Sequence, residues 1–294
     1  NQPLICIQYW KEVYDINNTQ FKHWLKKPSS ALVMGVLNVT PDSFSDGGLY
    51  SKPEVAIDHA IDMVNNGADI IDIGGESTRP GSDSVSIEEE LKRVIPIIDA
   101  LKKRSDEVLV SVDTCKSSVA KRAIDVGADI VNDISGLTFD SEMKVLLANN
   151  NTPVIIMHIN GKPKTMQKNI SYVNLIDDIK QFFLDQVNVA QDAGIEKNNI
   201  ILDPGIGFGK TFDHNFSIIR RLKEFKVLGY PLLIGPSKKA FIGDALDLPP
   251  DDRVEGTIAT IVAGILNGSN IVRVHNVKEV KRAVVITENI LMAK

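Results

Sequence analysis

The sequence contains few cysteines, no long apolar run and no cluster of basic residues. Cys6 and Cys115 do not have the spacing of a zinc site or a disulfide framework, so we expect two free thiols in a reducing compartment. No apolar stretch approaches the length of a membrane span, and the N-terminus has no signal-peptide pattern. We therefore expect a cytoplasmic protein, or one in an organelle matrix if a transit peptide has been removed. The net charge is -5, and no run of lysines and arginines forms the basic stripe expected of a nucleic-acid-binding protein.

What the chain does contain is a series of short apolar runs, rich in β-branched residues, each of which ends on residues able to do polar chemistry. The segments between them, roughly twenty to forty-five residues long, mostly have the pattern of amphipathic helices. This alternation is typical of a parallel sheet whose strands are buried on both faces. The sequence predicts an α/β fold, a (β/α)8 TIM barrel, with strands at Leu32–Asn38, Asp69–Gly74, Val108–Asp113, Asp129–Asp133, Pro153–His158, Asn199–Asp203, Pro231–Ser237 and Asn270–His275.

The first residues do not follow this alternation. Asn1–Lys27 carries several aromatic side chains in a polar setting, namely Tyr9, Trp10, Tyr14, Phe21 and Trp24. We expect a short N-terminal extension over residues 1–30 and a barrel domain over residues 31–294. The extension is a strand or hairpin that plugs the closed end of the barrel, or alternatively a linker from an upstream domain.

Two predicted loops carry residue types that bind anions and hard cations. Asn38–Gly48 is rich in Gly, Ser and Asp, whose oxygens can ligate a cation or contact a phosphate; a solvated loop without a ligand is the alternative. Gly74–Gly81 combines small residues, which let backbone N–H groups approach an anion, with the hydroxyl of Thr78 and the guanidinium of Arg79. The second loop is therefore predicted to clamp an anion.

Polar residues scattered over the sequence are expected to converge, because the C-termini of barrel strands meet at one mouth. For Asp113 the alternative is a helix N-cap, and for Asp203 a turn before Pro204. Binding is favoured because both follow buried apolar runs, where a carboxylate must find a donor. His275 is alternatively a surface histidine. The converging set is Asn38, Glu76, Asp113, Asn132, His158, Asp203, Ser237, Lys239, Arg273 and His275.

From about Leu32 to its C-terminus the chain resembles the dihydropteroate synthase family, the pterin-binding enzymes. Segments in the family's order and rough spacing are Asn38–Gly48, Gly75–Gly81, Ser111–Thr114, Asn132–Gly136, Met157–His158, Leu202–Gly209, Gly235–Lys239 and Arg273–His275. The resemblance implies condensation of 6-hydroxymethyl-7,8-dihydropterin pyrophosphate with p-aminobenzoate, giving 7,8-dihydropteroate and pyrophosphate in folate biosynthesis. It also implies Mg2+ as cofactor and sulfonamides as competitors of the aminobenzoate.

The same resemblance implies site roles. The pterin would contact Asp113, Asn132, Asp203, Lys239, Met157, Phe208 and Arg273. The pyrophosphate would contact Asn38, Thr78, Arg273 and His275, with Mg2+ held by Asn38 and Asp42. The aminobenzoate would contact Phe44, Thr78, Arg79, Pro80, Phe208, Ser237 and Lys239. The catalytic residues would be Asp113, Lys239, Asp42 and Arg79, acting in a dissociative mechanism in which pyrophosphate leaves first.

Two other functions are compatible with a pterin-binding barrel. A corrinoid-type pterin methyltransferase would have no pyrophosphate to hold, which the Thr78–Arg79 clamp and the Arg273–His275 pair argue against. A non-catalytic pterin-binding barrel is argued against by intact polar residues at every predicted strand end. The sequence departs from the family at Lys238, where arginine is common, and after His158, where the family often has Met-Gln-Gly.

Partners are expected to be small molecules and a second copy of the chain. The predicted helices at about Asp252–Leu266 and Val277–Met292 carry apolar residues on more than one face, and the family pairs through its later helices, so a homodimer is expected. Neither nucleic acid nor membrane is expected as a partner. The chain begins with Asn rather than Met, and we expect a cut from a longer parent, with an upstream hydroxymethyldihydropterin pyrophosphokinase domain as one form of that parent.

Overall fold

The computed structural model describes residues 16–40, 52–105 and 107–293. Eight parallel strands form one sheet in the order β6-β5-β4-β3-β2-β1-β8-β7. The strands are β1 Leu32–Asn38, β2 Ile70–Gly74, β3 Leu109–Asp113, β4 Ile130–Asp133, β5 Val154–Met157, β6 Ile200–Asp203, β7 Leu233–Ile234 and β8 Ile271–Val274. The helices are α1 Asn18–Lys26, α2 Lys52–Asn65, α3 Ile87–Arg104, α4 Ser117–Asp125, α5 Glu142–Asn150, α6 Leu175–Asp192, α7 Phe212–Arg220, α8 Ala240–Leu246, α9 Val254–Leu266 and α10 Val277–Met292.

The sheet closes between its two edge strands. Leu202 on β6 forms a parallel bridge with Leu232, just before β7, and the Leu202 N–H donates to the Pro231 carbonyl at 2.9 Å. The predicted (β/α)8 barrel is therefore confirmed. Strand β7 is shorter than predicted and ends before Gly235-Pro236, where the proline has no N–H to donate to a ladder.

The register of the parallel strands places polar residues at one height. Asn38 pairs with Gly74, Gly74 with Asp113, and Asp113 with Asn132 along β1 to β4. Because all strands run in the same direction, these residues lie at the C-terminal mouth of the barrel.

Helix α1 packs at the opposite, N-terminal end of the barrel. Its first turn is fixed by a capping box between Asn17 and Gln20. Phe21, Trp24 and Leu25, at helical spacing on one face, join one cluster with buried residues from the starts of the strands. A strand or hairpin was expected in this segment, and the described part is a helix instead; residues 1–15 lie outside the described structure. The aromatic residues have the spacing of an amphipathic helix, which covers the closed end of the barrel in place of the expected strand or hairpin.

None of the described helices is long and apolar enough to cross a membrane.

Candidate functional site

A buried ion-pair cluster lies in the mouth of the barrel. Arg273 on β8 donates through Nε to Asp72 Oδ2 at 2.6 Å and through Nη2 to Asp113 Oδ2 at 2.8 Å. Asn132 Nδ2 donates to Asp72 Oδ2 at 3.1 Å. One guanidinium thus faces two carboxylates, so the cluster carries net negative charge beside the pocket.

Asp72 is a site residue that sequence reasoning missed. It lies inside the apolar run of β2 and is fully buried, and its Oδ1 atom has no hydrogen-bond partner, as is also true of Asn132 Oδ1. A carboxylate within a strand that is buried on both faces requires a cationic partner, and that requirement was the available signal. The partner itself was not visible in the sequence.

The two carboxylates named from the sequence have unusual acidities. Burial raises the pKa of Asp113 to about 7; Arg273 opposes this, whereas Asp72, Glu90 and Asp133 add to it. Burial also raises the pKa of Asp203 to about 6, against the Gly205 N–H, which donates to its Oδ1 at 2.7 Å, and the nearby cations. Strongly perturbed carboxyl groups in a concave mouth are typical of a functional site.

Lys239 and Phe208 follow the neighbouring strands β7 and β6, and their side chains meet at the mouth. The Lys239 ammonium stands 4.2 Å from the centre of the Phe208 ring, a cation–π contact. Burial and Arg273 lower the pKa of Lys239 to about 8, against Asp203 and Asp113. A side chain at Gly207 would crowd Lys239, because an ideal Cβ there would lie 3.2 Å from its Cδ. The absence of a side chain at Gly207 therefore leaves room for Lys239 to lie over the Phe208 ring.

An apolar wall adjoins these polar groups. Met157 at the end of β5 and Phe208 after β6 belong to one buried cluster with Ile134, Ile159 and Met166. Carboxylate and amide side chains beside such a wall can bind a flat ring by its polar edge and pack its faces.

The loop after β2 carries the predicted anion clamp. Thr78 is half-buried, whereas Arg79 and Pro80 are exposed. Residues of the neighbouring elements anchor this loop. Arg93 Nη1 donates to the Gly75 carbonyl at 2.8 Å, and Lys116 forms ion pairs with both Glu76 and Glu90. Glu76 is therefore used in anchoring its own loop.

Ser237 and His275 are in direct contact at the rim. The His275 backbone N–H donates to Ser237 Oγ at 3.2 Å, and its Nδ1 lies 3.1 Å from the same oxygen. The His275 side chain is exposed; desolvation and the charges of Arg273 and nearby lysines lower the pKa of the imidazole. The cations that lower this pKa, Arg273, Lys238, Lys239 and Arg79, leave the rim able to accept an anion.

Asn38 lies at the end of β1, next to the carboxylate cluster. Its Oδ1 and Asp113 Oδ2 are each 3.7 Å from the position that a Cβ would take at Gly74, so the glycine leaves them facing a common space.

Three of the predicted residues are not among the described residues of the mouth, for two different reasons. Asp42 and Phe44 lie outside the described residues. His158 does not face the mouth as expected: its ring packs edge-on against Phe182 of α6, with centroids 4.9 Å apart, and its Nδ1 contacts Lys210 at 2.9 Å.

Comparison with known proteins decides the family. Residues 34–275 match the pterin binding enzyme family. A dihydropteroate synthase from Synechocystis sp. is 53% identical over 84% of this chain and 85% of its own length. The chain belongs to the dihydropteroate synthase family. The crystal structure of the Yersinia pestis dihydropteroate synthase with a sulfonamide drug complex superposes with a TM-score of 0.86 at 44% identity, covering 90% of this chain and 96% of the other.

One family relative is longer than this chain. The folate synthesis bifunctional protein of Arabidopsis thaliana, described as mitochondrial, is 43% identical over 84% of this chain, which covers 47% of that protein. The family thus includes members in which the barrel is part of a larger polypeptide.

Proposed function

We propose that the chain is a dihydropteroate synthase, which condenses 6-hydroxymethyl-7,8-dihydropterin pyrophosphate with p-aminobenzoate to give 7,8-dihydropteroate and pyrophosphate in folate biosynthesis. The observation that carries the proposal is the buried Asp72–Arg273–Asp113 cluster beside Asn132, Asp203 and Lys239, within a chain of this family. A pterin presents a mostly donating amide-and-amidine edge, which needs acceptors inside the barrel.

The pterin ring is assigned to the pocket between Asp203 and the apolar wall. Asp203 and Asn132 accept from the ring edge, while Met157 and Phe208 pack its faces. The unpartnered Asn132 Oδ1 supports this assignment, since a buried amide oxygen without a partner is costly unless a ligand supplies the donor.

The pyrophosphate is assigned to the rim formed by Asn38, Thr78, Arg273 and His275. Mg2+ would be held by Asn38 and Asp42 and would neutralise charge on the leaving oxygens. Within the described residues no group of three His, Cys, Asp or Glu side chains could hold a metal. Asn38 and Asp42 still fit Mg2+, because this ion takes one or two protein oxygens together with substrate phosphates and water.

The mechanism is dissociative. The bond between the pterin methylene carbon and the pyrophosphate oxygen breaks first, and its electron pair leaves with the oxygen. The aminobenzoate nitrogen then forms the new bond to the cationic carbon and releases one proton. Asp113 stabilises the cation because it brings negative charge into a poorly hydrated pocket. The protein supplies no nucleophile for this sequence of steps.

The aminobenzoate, and the sulfonamides that compete with it, are assigned to Phe44, Thr78, Arg79, Pro80, Phe208, Ser237 and Lys239. Arg79 and Pro80 are exposed on the β2 loop, so this site requires that loops be ordered over the first substrate. Ordering costs about 1–2 kcal/mol per residue, which pyrophosphate contacts can offset.

Binding order tests the proposal. In calorimetry, aminobenzoate is expected to bind weakly to the empty protein and tightly once a pterin, Mg2+ and pyrophosphate are present. Arg79→Ala is expected to abolish that linkage. Lys164→Ala, which removes an exposed cation paired with Asp83 near the same loop, is the matched control and should keep it. Tight aminobenzoate binding to the empty protein would contradict the roles of Asn38, Asp42 and Arg79.

A turnover assay separates the competing functions. Release of pyrophosphate coupled to formation of dihydropteroate is expected. A methyltransferase or a non-catalytic barrel would give neither product and no pyrophosphate linkage.

The assembly and location of the chain are also proposed. Exposed apolar side chains on α9 and α10, namely Leu266, Ile286, Ile290, Leu291 and Met292, support pairing with a second copy. We place the enzyme in the cytoplasm, with fusion to an upstream pyrophosphokinase domain as an alternative context suggested by the longer plant relative.

A further inference from the structure

A fully buried lysine lies directly behind the pterin pocket. Lys210 follows the glycine-rich loop after β6 and is only 2% exposed. Its Nζ contacts His158 Nδ1 at 2.9 Å, the Phe208 carbonyl at 3.0 Å and the His158 carbonyl at 3.2 Å. These acceptors match the three N–H donors of an ammonium, whereas none of them is a carboxylate. Burial lowers the pKa of Lys210 to about 7, against the charge of Asp203, so the group is an ammonium in the acid range where Asp203 titrates.

The contacts of Lys210 hold the loop that carries Phe208. Gly205 and Gly209 in this loop have φ values of +69° and +66°, in the left-handed region, and a Cβ at Gly205 would meet the His158 carbonyl at 2.0 Å. The loop therefore packs closely against the end of β5. Lys210 donates to both, at the Phe208 carbonyl in the loop and the His158 carbonyl after β5. Tyr172 anchors the same loop independently, since its hydroxyl donates to the Gly209 carbonyl at 2.8 Å.

Lys210 also lies near Asp203: its Nζ is 3.3 Å from the position of a Cβ at Gly205, whose N–H donates to Asp203 Oδ1 at 2.7 Å. The cations around Asp203 are Lys210 on its own loop, Lys239 after β7 and Arg273 on β8, and all three lower the pKa of its carboxyl against the effect of burial. His158, at the end of β5, adds no charge, because burial and Lys210 lower the pKa of its imidazole. Lys239 and Arg273 are also assigned to substrate, whereas the hydrogen bonds of Lys210 are to His158 and Phe208 of the protein itself.

We propose that Lys210 is a positioning residue of the pterin site, whose buried ammonium fixes the Asp203–Gly209 loop against β5 and keeps Asp203 ionised to receive the ring edge. The proposal rests on the assignment of Asp203 to the pterin under Proposed function. It predicts that the charge of Lys210, and not only its packing, sets pterin affinity.

The test measures binding of 6-hydroxymethylpterin by calorimetry as a function of pH. This probe lacks the pyrophosphate, so contacts with that group do not contribute. Asp113, whose pKa burial raises to about 7, is common to all the variants, so a difference in midpoint between them reports on Asp203. Lys210→Gln keeps N–H donors for the two carbonyls but removes the charge, and Lys210→Met removes both. In each variant the acid-side midpoint of binding is expected to move up by about one pH unit, because the Asp203 carboxyl loses a neighbouring cation and protonates more readily. At the wild-type midpoint, binding should weaken about fivefold, because the ionised fraction of Asp203 falls from about one half to about one tenth.

Two further variants separate charge from anchoring. Tyr172→Phe removes one hydrogen bond to the loop and no charge, so it is expected to leave the midpoint in place while changing affinity modestly. Lys210→Arg keeps the charge and is expected to retain the wild-type midpoint, even if the larger side chain lowers thermal stability.

The outcomes are distinguishable. A folded Lys210→Gln variant with the wild-type midpoint and affinity would overturn the proposal, and so would an equal midpoint shift in Tyr172→Phe. If Lys210→Met unfolds, Lys210→Gln carries the test. Failure of the wild-type protein to bind the pterin would instead refute the assignment of the site itself.

Discussion

Asp113→Asn is the substitution that most directly tests the dissociative mechanism. It keeps the size of the side chain and one acceptor, but it removes a negative charge from the buried cluster. Arg273 is the ion-pair partner of the Asp113 carboxylate among the described residues. Arg273 carries one positive charge against the two carboxylates that pair with it, Asp72 and Asp113. The variant leaves a single carboxylate on that guanidinium, so the pair no longer has a surplus of negative charge to stabilise a cation.

The magnitude follows from Coulomb's law. A carboxylate about 5 Å from a developing cation, at an effective dielectric constant of about 20, contributes roughly 3 kcal/mol. That corresponds to a loss of about two orders of magnitude in kcat. The binding of the ground-state pterin should change less, because the cation exists only after the pyrophosphate begins to leave.

The assay is steady-state turnover at pH about 8, where the Asp113 carboxyl of the wild type is ionised. Asp72→Asn is the matched control: it removes the same charge from the same guanidinium, but Asp72 pairs with Ser111 and lies two residues deeper along the strands than Asp113. Its Cα lies roughly 6–7 Å deeper, so its charge acts less on the cation, although the two carboxylates share one guanidinium. Its turnover should fall by less than that of Asp113→Asn, while both variants should lose comparable thermal stability. A folded Asp113→Asn enzyme with kcat within about threefold of wild type would refute the reasoning.

Further expected outcomes concern pH, the closed end of the barrel and assembly. Because burial raises the pKa of Asp113 to about 7 and of Asp203 to about 6, kcat/KM should fall as pH drops through that range, which a pH–rate profile checks. The same raised pKa values mean that the folded state binds more protons than the unfolded one, so their contribution to the free energy of unfolding should decrease as pH rises from about 4 to 7, as measured by urea titration. Trp24→Ala should lower the free energy of unfolding by about 3–5 kcal/mol and leave KM unchanged, because the ring is buried at the end of the barrel away from the site. Ile290→Glu should convert the proposed dimer to a monomer in light scattering; a wild-type mass of one chain would contradict the proposal of a dimer.

Much of the barrel is predictable because its signals are local. Each strand is short, apolar and buried on both faces, so the run itself identifies the strand, and helices such as α10 were predicted to the residue. The residue that follows such a run is placed at the mouth by topology alone. This is why Asp113, Asn132, Asp203 and Arg273 could be named from the chain.

The pairing within the site was not predictable in the same way. Arg273 is separated from Asp72 by 201 residues and from Asp113 by 160, and nothing near either aspartate in the sequence indicates which cation it meets. The pairing depends on strand order and register, which are established only when the whole sheet forms and the barrel closes. The helical form of α1 was also misjudged, because its aromatic residues are equally compatible with a plug of either secondary structure until the barrel end that they cover is defined.

The sequence by itself determined the fold, the family and the residue types offered at the mouth, because alternating hydrophobicity and strand-end chemistry are properties of contiguous segments. Only the tertiary structure decided how those residues share charge: that Asp72 joins Asp113 on one guanidinium, that His158 turns away to meet Lys210, and that the pKa values of Asp113 and Asp203 rise. The physical reason is that desolvation and Coulomb interaction depend on distances across the barrel, between groups that are remote along the chain.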